Sequence, residues 1–478
     1  MSAQRHVRFV TMSAALALML SACAVGPRYQ PPPTPSPAQG AFVSTGPAGA
    51  DQPLPPMWWR LYQDPVLDRL VQQALVENQS LKVAAANLAY AQALLDEARA
   101  GRYPSTNLTA GPSYGRSTTA LSTGAPAAWT YAAGFTASYQ VDLFGRIRRT
   151  IEQASANVEA TRAAEDVARV TVAAATAGAY ANICGLGEQL DVANRSLAVV
   201  KETYDIDVRQ RDAGALSDFD VARQGVLLEQ ARAAIPPLEG QRRSALFALA
   251  ALIGKTPAEV PADAGACRAP PRLDRPLPIG DGAALLRRRP DIRQAERTVA
   301  ANTAGIGIAT ASLYPTVTLG GSVASAAGQL GQLFTYPTTS YSLGPLISWT
   351  FPNVAVALAQ VAQAKAQTSG AIAGFDATVL QALQETEQAL ATLASELDHN
   401  RALAAARTNA DQALRLAQIQ YQAGTASGLD QLTAEATKIA ADQALAASDQ
   451  AVAADQVAVF QALGGGWEDA PAVSAPRS

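Results

Sequence analysis

The sequence predicts a mainly α chain with a membrane β-barrel part, built on an internally duplicated helix–β-hairpin–helix unit. Three observations predict it. Tyr103-Pro104-Ser105 returns as Tyr314-Pro315-Thr316, and Gly214-x-x-Ser217-x-x-Asp220 returns as Gly424-x-x-Ser427-x-x-Asp430, both about 210 residues later, and two motifs sharing one offset mark an internal duplication. Between the members of each pair lie strand-like stretches that alternate apolar and polar residues. After each hairpin runs an uninterrupted helical pattern of roughly 65 residues, far beyond the average of about 11–12.

Residues 1–22 read as a signal peptide. Arg5 and Arg8 precede an apolar run over 9–20, too short to span a bilayer as a helix and followed by small residues. Leu20-Ser21-Ala22-Cys23 fits the bacterial lipoprotein pattern, in which the cysteine is acylated, palmitate included, and becomes the mature N-terminus. The alternative is an ordinary signal peptide with an incidental cysteine. Ala24 stands where an aspartate would signal retention at the inner membrane, so the expected destination is the outer membrane. Residues 23–57 hold Pro31, Pro32, Pro33, Pro35, Pro37, Pro53, Pro55 and Pro56. Such density removes helix and predicts an extended, lipidated strap lying along a larger body.

The first repeat is expected over 58–256. Trp58-Trp59 opens it, and Asp64-Pro65 supplies an N-cap and a proline at the first helical position. Leu67, Leu70, Val71, Ala74, Leu75, Leu81, Ala84, Ala85 and Leu88 then carry one apolar face to about Arg99, which predicts a single helix ending before Tyr103-Pro104.

Over 129–144 the odd positions include Trp129, Tyr131, Phe135, Tyr139 and Val141, and the even ones Thr130, Gly134, Thr136, Ser138 and Gln140. That is period two. The second half repeats it, with Tyr341, Leu343, Ile347, Trp349 and Phe351 against Ser342, Gly344, Ser348 and Thr350, and Leu346 out of pattern. The partner strands alternate Leu108, Ala110, Pro112 and Tyr114 with Asn107, Thr109, Gly111 and Ser113, and Val317, Leu319 and Val323 with Thr316, Thr318 and Ser322. Half-buried strands of a soluble sandwich are the competing reading. The aromatics near the strand ends and the small polar second face favour a membrane barrel with a wet lumen. Four strands cannot close one, since at least eight are needed, so the chain is expected to oligomerise.

The long helices are expected near 145–211 and 353–421, each about 100 Å at 1.5 Å per residue. Val379, Leu383, Leu390, Leu393 and Leu397 keep coiled-coil spacing. Each long helix ends at a duplicated glycine turn, Gly214 or Gly424, and returning helices follow over about 217–253 and 428–462. Pro236-Pro237 is expected to break or kink the first of these. A linker over 257–283 joins the halves, the second repeat runs over 284–463, and 464–478 form a tail.

Composition excludes several classes of function. Net charge is −3 over 478 residues and no Lys/Arg run makes a nucleic-acid footprint. His399 is the one histidine beyond the signal peptide, and it sits in a polar stretch. No P-loop, C-x-x-C or H-E-x-x-H occurs, so no enzyme chemistry, cofactor or metal site is expected. Cys184 and Cys267 remain besides Cys23, and in an oxidising periplasm an even pair reads as a disulfide before a metal site.

These features together resemble the TolC-like outer membrane factor family, specifically the NodT-type lipoprotein branch serving efflux. The resemblance covers almost the whole mature chain. It is carried by Cys23, Trp58-Trp59 with Asp64-Pro65, Tyr103-Pro104, Val141-Asp142-Leu143-Phe144-Gly145-Arg146, Leu286-Arg287-Arg288-Arg289-Pro290-Asp291, the paired glycine turns, and Leu463-Gly464-Gly465-Gly466-Trp467, in that order. It implies a homotrimer forming a 12-stranded β-barrel on a 12-helix periplasmic α-barrel, a non-enzymatic duct lipid-anchored in the outer membrane. Its implied partners are a periplasmic adaptor protein and an inner membrane transporter of the resistance-nodulation-division type, with a type I protein secretion duct as the alternative.

The resemblance also implies a periplasmic gate after the second glycine turn, with Tyr421 and Asp430 at its tyrosine and first aspartate and Asp220 at the acidic position of the first half. The alternative for Asp220 and Asp430 is that each merely sits in the first turn of its helix, beside the positive end of the dipole. Ala426, Thr433 and Arg211 depart from the family pattern at that gate.

Overall fold

A computed structural model describes residues 24–34, 36–44, 49–50, 52–116, 127–273, 275–352 and 354–473. The signal peptide and Cys23 lie outside the described residues. The chain divides into two compact units, one of residues 88–161 and 294–375 with the start of the strap, the other of 33–87, 162–293 and 376–478.

The first unit holds the sheet. Strands β1 (Ser105–Gly115), β2 (Ala128–Val141), β3 (Thr316–Ala327) and β4 (Thr339–Ser348) pair antiparallel in sequence order. Register places Leu108 opposite Phe135, Phe135 opposite Val323, and Val323 opposite Tyr341. Directly opposed residues point to one face, so the apolar sets of all four strands coincide, as the alternation predicts. The other face is polar: Ser322 and Ser342 join their hydroxyls at 2.8 Å. Leu346 falls on it opposite Thr318. The apolar face has no cover in this unit, with Leu343 90% and Tyr341 84% exposed. β4 is shorter than the alternation suggests. Trp349 and Phe351 follow it as a stacked pair, and the Trp349 indole donates to the Leu313 carbonyl.

The strap begins in this unit. Val25 N–H donates to Phe144 O, and Arg149 donates back to the carbonyls of Val25 and Gly26. A Cβ at Gly145 would lie 2.8 Å from Ala24, so glycine is required there for the strap to approach.

The second unit is helical. It holds α1 (Pro65–Glu77), α4 (Asp218–Leu252), α5 (Gly282–Arg288) and α8 (Gly428–Ala462) and parts of α2 (Gln79–Ala100), α3 (Arg146–Asp212), α6 (Pro290–Ala311) and α7 (Ala355–Gln422), whose remainders belong to the first unit. Asp64 caps α1 by accepting from Val66 N–H and Leu67 N–H, with Pro65 at the first position. Trp58 and Trp59 are buried, and Trp58 stacks on Phe460 with centroids 4.6 Å apart. Leu390 and Leu393 join this core, with Leu383 and Leu397 packed at its margin, and Val379 is buried elsewhere along α7. Cys184 on α3 is bonded to Cys267, with Cα atoms 4.8 Å apart. The linker is not featureless: Leu277–Pro278 pairs in parallel with Gly49–Ala50 of the strap.

One expectation fails here, and another fails in its stronger form, a break at Pro236-Pro237. The helix opened by Pro65 is not single: Asn78 is extended (ψ 130°), its amide donates to Leu252 O, and its Oδ1 accepts from Ser80 and Leu81 N–H, so it ends α1 and caps α2. Pro236-Pro237 does not break α4, which runs through both. Proline's fixed φ suits a helix; its costs are a missing donor and a ring clash, and packing of Leu228, Ala245 and Leu249 on either side holds the helix in register.

Candidate functional site

The two glycine turns are built alike. Gly214 (φ +78°) and Gly424 (φ +71°) occupy the left-handed region. A Cβ would meet nothing within 4 Å at either, so the backbone angle, not space, calls for glycine. At the first turn Ala215 N–H reaches Gln210 O and Gly214 N–H reaches Arg211 O; at the second Thr425 N–H reaches Gln420 O and Gly424 N–H reaches Tyr421 O. This double closure satisfies the last carbonyls of a helix.

Each returning helix then starts on the duplicated serine. Ser217 accepts from Asp220 N–H at 3.2 Å, and Ser427 from Asp430 N–H at 3.3 Å. The second cap is the fuller one, because the Asp430 carboxylate also accepts from Ser427 N–H at 2.9 Å and from its hydroxyl at 2.7 Å. Ser427's hydroxyl and backbone amide hold the Asp430 carboxyl below its ordinary value. In the first half only the hydroxyl of Ser217 reaches Asp220, at 2.6 Å. Both aspartates therefore act in the first turns of their helices.

Tyr421 bonds to neither aspartate. Its hydroxyl donates to Gln210 Oε1 at 3.1 Å, linking the end of α7 to the end of α3. Tyr421 and Asp220 line one cavity of about 300 Å³ behind the turns, whereas Asp430 does not. Arg211 pairs with Asp212 and Asp218 within its own turn, and Thr433 donates to Leu429 O of its own helix. Neither of these two side chains makes a bond across the two turns.

Sequence reasoning missed Gln210, and with it a polar group below the tip. Gln224 and Glu435 are buried there, and Asp207 lies beside them. A signal existed: Gln224 stands at helical spacing between the buried Val221 and Leu228, where an apolar residue is expected.

A sequence model of the family described as outer membrane efflux protein matches residues 70–255 and 283–465. Among curated proteins, the outer membrane protein OprJ of Pseudomonas aeruginosa is 28% identical over 479 residues, covering 97% of each chain. Nodulation protein T of Rhizobium leguminosarum bv. viciae is 31% identical over 476 residues, covering 98% of this chain and 96% of its own. The solved structure of the outer-membrane channel OprN superposes with a TM-score of 0.86 at 33% identity, covering 93% of this chain and 100% of that one.

Proposed function

The chain belongs to the outer membrane efflux protein family, and we propose that three copies form one lipid-anchored duct closed at its periplasmic tip by the Tyr421 region. The protein is the outer membrane exit duct of an efflux pump, extending into the periplasm and passing substrates outward. The observation that carries the trimer is the sheet. It exposes a whole apolar face, and β1 and β4 each have one neighbour among the described residues. Unpaired edges beside an apolar face are not stable in a membrane, and closure needs more strands than one chain supplies. Three copies give twelve.

Anchoring is supported by the hold on Ala24, which sets the residue following Cys23 beside Gly145 and Phe144, at the end of β2. The duct carries no reaction. It takes a periplasmic adaptor and an inner membrane transporter of the resistance-nodulation-division type as partners, and outer membrane lipid around its barrel. At the tip, Asp430 of three copies rings the axis and the Tyr421 to Gln210 bond latches the helix ends. Native mass spectrometry of the detergent-extracted protein tests the assembly: a trimer is expected, co-purifying with an adaptor and transporter from the membrane. A monomer or dimer rejects it.

A further inference from the structure

Residues 265–273 of the linker reach four helices of the helical unit. Cys267 is bonded to Cys184 on α3, and Arg268 pairs with Asp191 of the same helix at 3.6 Å. From α4, Arg242 donates to the carbonyls of Gly265 and Cys267 at 2.6 and 3.1 Å. Arg272 donates to Asn400 of α7 at 3.2 Å and to Asp449 of α8 at 2.7 Å. Leu273 then exchanges two hydrogen bonds with Gln456 of α8: its N–H donates to the buried side-chain oxygen, and the side-chain nitrogen donates to its carbonyl.

The four attachments share one level. Asp191, Arg242, Asn400 and Asp449 stand about 21–24 residues from the tip ends of their helices, roughly 32–36 Å at 1.5 Å per residue. On α3 two glycines make room there. A Cβ at Gly187 would lie 2.3 Å from Cys267 O, and one at Gly185 would lie 2.6 Å from the Gln450 side chain of α8. Glycine inside a helix costs about 1 kcal/mol against alanine, and here it admits the linker backbone and a neighbouring helix. The large apolar core also stops near this level. Its buried members nearest the tip are Leu186 on α3, Ala245 on α4, Leu393 on α7 and Val457 on α8.

We propose that residues 265–273 are a girdle, pegged by the disulfide, that positions α3, α4, α7 and α8 on one another where the apolar core gives out. Cys184, Arg242 and Arg272 are its positioning residues, and the effect of the disulfide is therefore not confined to α3. The peg on α3 sets where Arg272 meets α7 and α8, because only a short length of chain separates Cys267 from Arg272. Loss of either attachment loosens the other, since coupling between two contacts is reciprocal. The far end is specific: the buried Asn400 also donates to Ser448 at 3.1 Å and to Asp449 at 2.9 Å, so removing Arg272 takes a partner from a polar layer between α7 and α8. The girdle belongs to one chain and does not depend on where the duct is gated.

Hydrogen exchange of the full-length protein in detergent, read by mass spectrometry, tests it. Reduction of the disulfide with a phosphine, and separately Cys267→Ser, should speed exchange at least fivefold over 396–402 of α7 and 447–453 of α8, leaving 299–306 of α6 unchanged. Arg272→Ala should act in the other direction, speeding exchange over 184–191 of α3 by a like factor. Acceleration confined to α3 and the linker after loss of the disulfide overturns the proposal, and so does an Arg272→Ala protein whose α3 exchanges like the parent's. Acceleration that includes α6 also overturns it, since that reports a general loss of stability. Should Cys267→Ser fail to fold or the disulfide resist the phosphine, Arg272→Ala, a change at a partly exposed side chain, decides alone.

Discussion

The hydroxyl of Tyr421 donates to Oε1 of Gln210 at 3.1 Å, joining the ends of the two long helices across the duplicated halves. The two are not duplicates of one another. At the internal offset Tyr421 corresponds to Arg211 and Gln210 to Gln420, so the bond exists in one direction only. Such a contact costs little to break, because a single hydrogen bond nets only about 0.5–1.5 kcal/mol.

Tyr421→Phe and Gln210→Ala should therefore each destabilise the tip by about 1 kcal/mol, and the double variant should cost no more than either alone. A double-mutant cycle on thermal unfolding checks this. Additive losses would mean that the two side chains act independently.

The caps make the tip sensitive to pH with a definite sign. Asp430 is depressed on folding by its bonds from Ser427, so its contribution is present above the unfolded carboxyl value, about 3.9, and is lost as pH falls through the lower folded value. Ser427→Ala should cost about 1 kcal/mol at pH 7, the gap from the parent narrowing below about pH 4. Glu435 has the opposite sign. Its carboxyl is raised by burial and by Asp207, so Glu435→Gln should raise the melting temperature at pH 7.5, and the gain should fade on acidification as the parent takes up its proton. Parallel pH curves for parent and variants would contradict both assignments.

Much of this was legible in the sequence, and the exceptions have physical causes. Strand faces follow from alternation alone, because period two fixes which side each residue takes. The long helices end where Gly214 and Gly424 force a left-handed turn. Asn78 was not legible: its role as a cap rests on a bond to Leu252 O, distant in sequence. Pro236-Pro237 misled because local cost is outweighed by packing elsewhere along α4. At the tip the motif located Asp220, Tyr421 and Asp430 but not their bonds, since Gln210 carries no local signature.

Cys184 and Cys267 enclose a loop with a sequence separation of 83. In the chain-entropy view such a link is worth roughly 4–5 kcal/mol. Cys184→Ala should lower resistance to urea by a comparable amount. Alkylation of unfolded, unreduced protein should label neither thiol; labelling of both would show the pair to be free in the cell.

Mass spectrometry of the mature protein should find Cys23 as its first residue, carrying acyl chains. Cys23→Ser should lose the acyl mass. An N-terminal fragment of unmodified mass would contradict the anchor.

The most direct measurement of the whole account is the single-channel conductance of the purified protein in planar bilayers. A low-conducting, cation-selective parent is expected, with Tyr421→Phe raising conductance severalfold and Asp430→Ala weakening cation selectivity. If both variants conduct and select ions like the parent, the duct is closed somewhere other than the turns at Gly214 and Gly424.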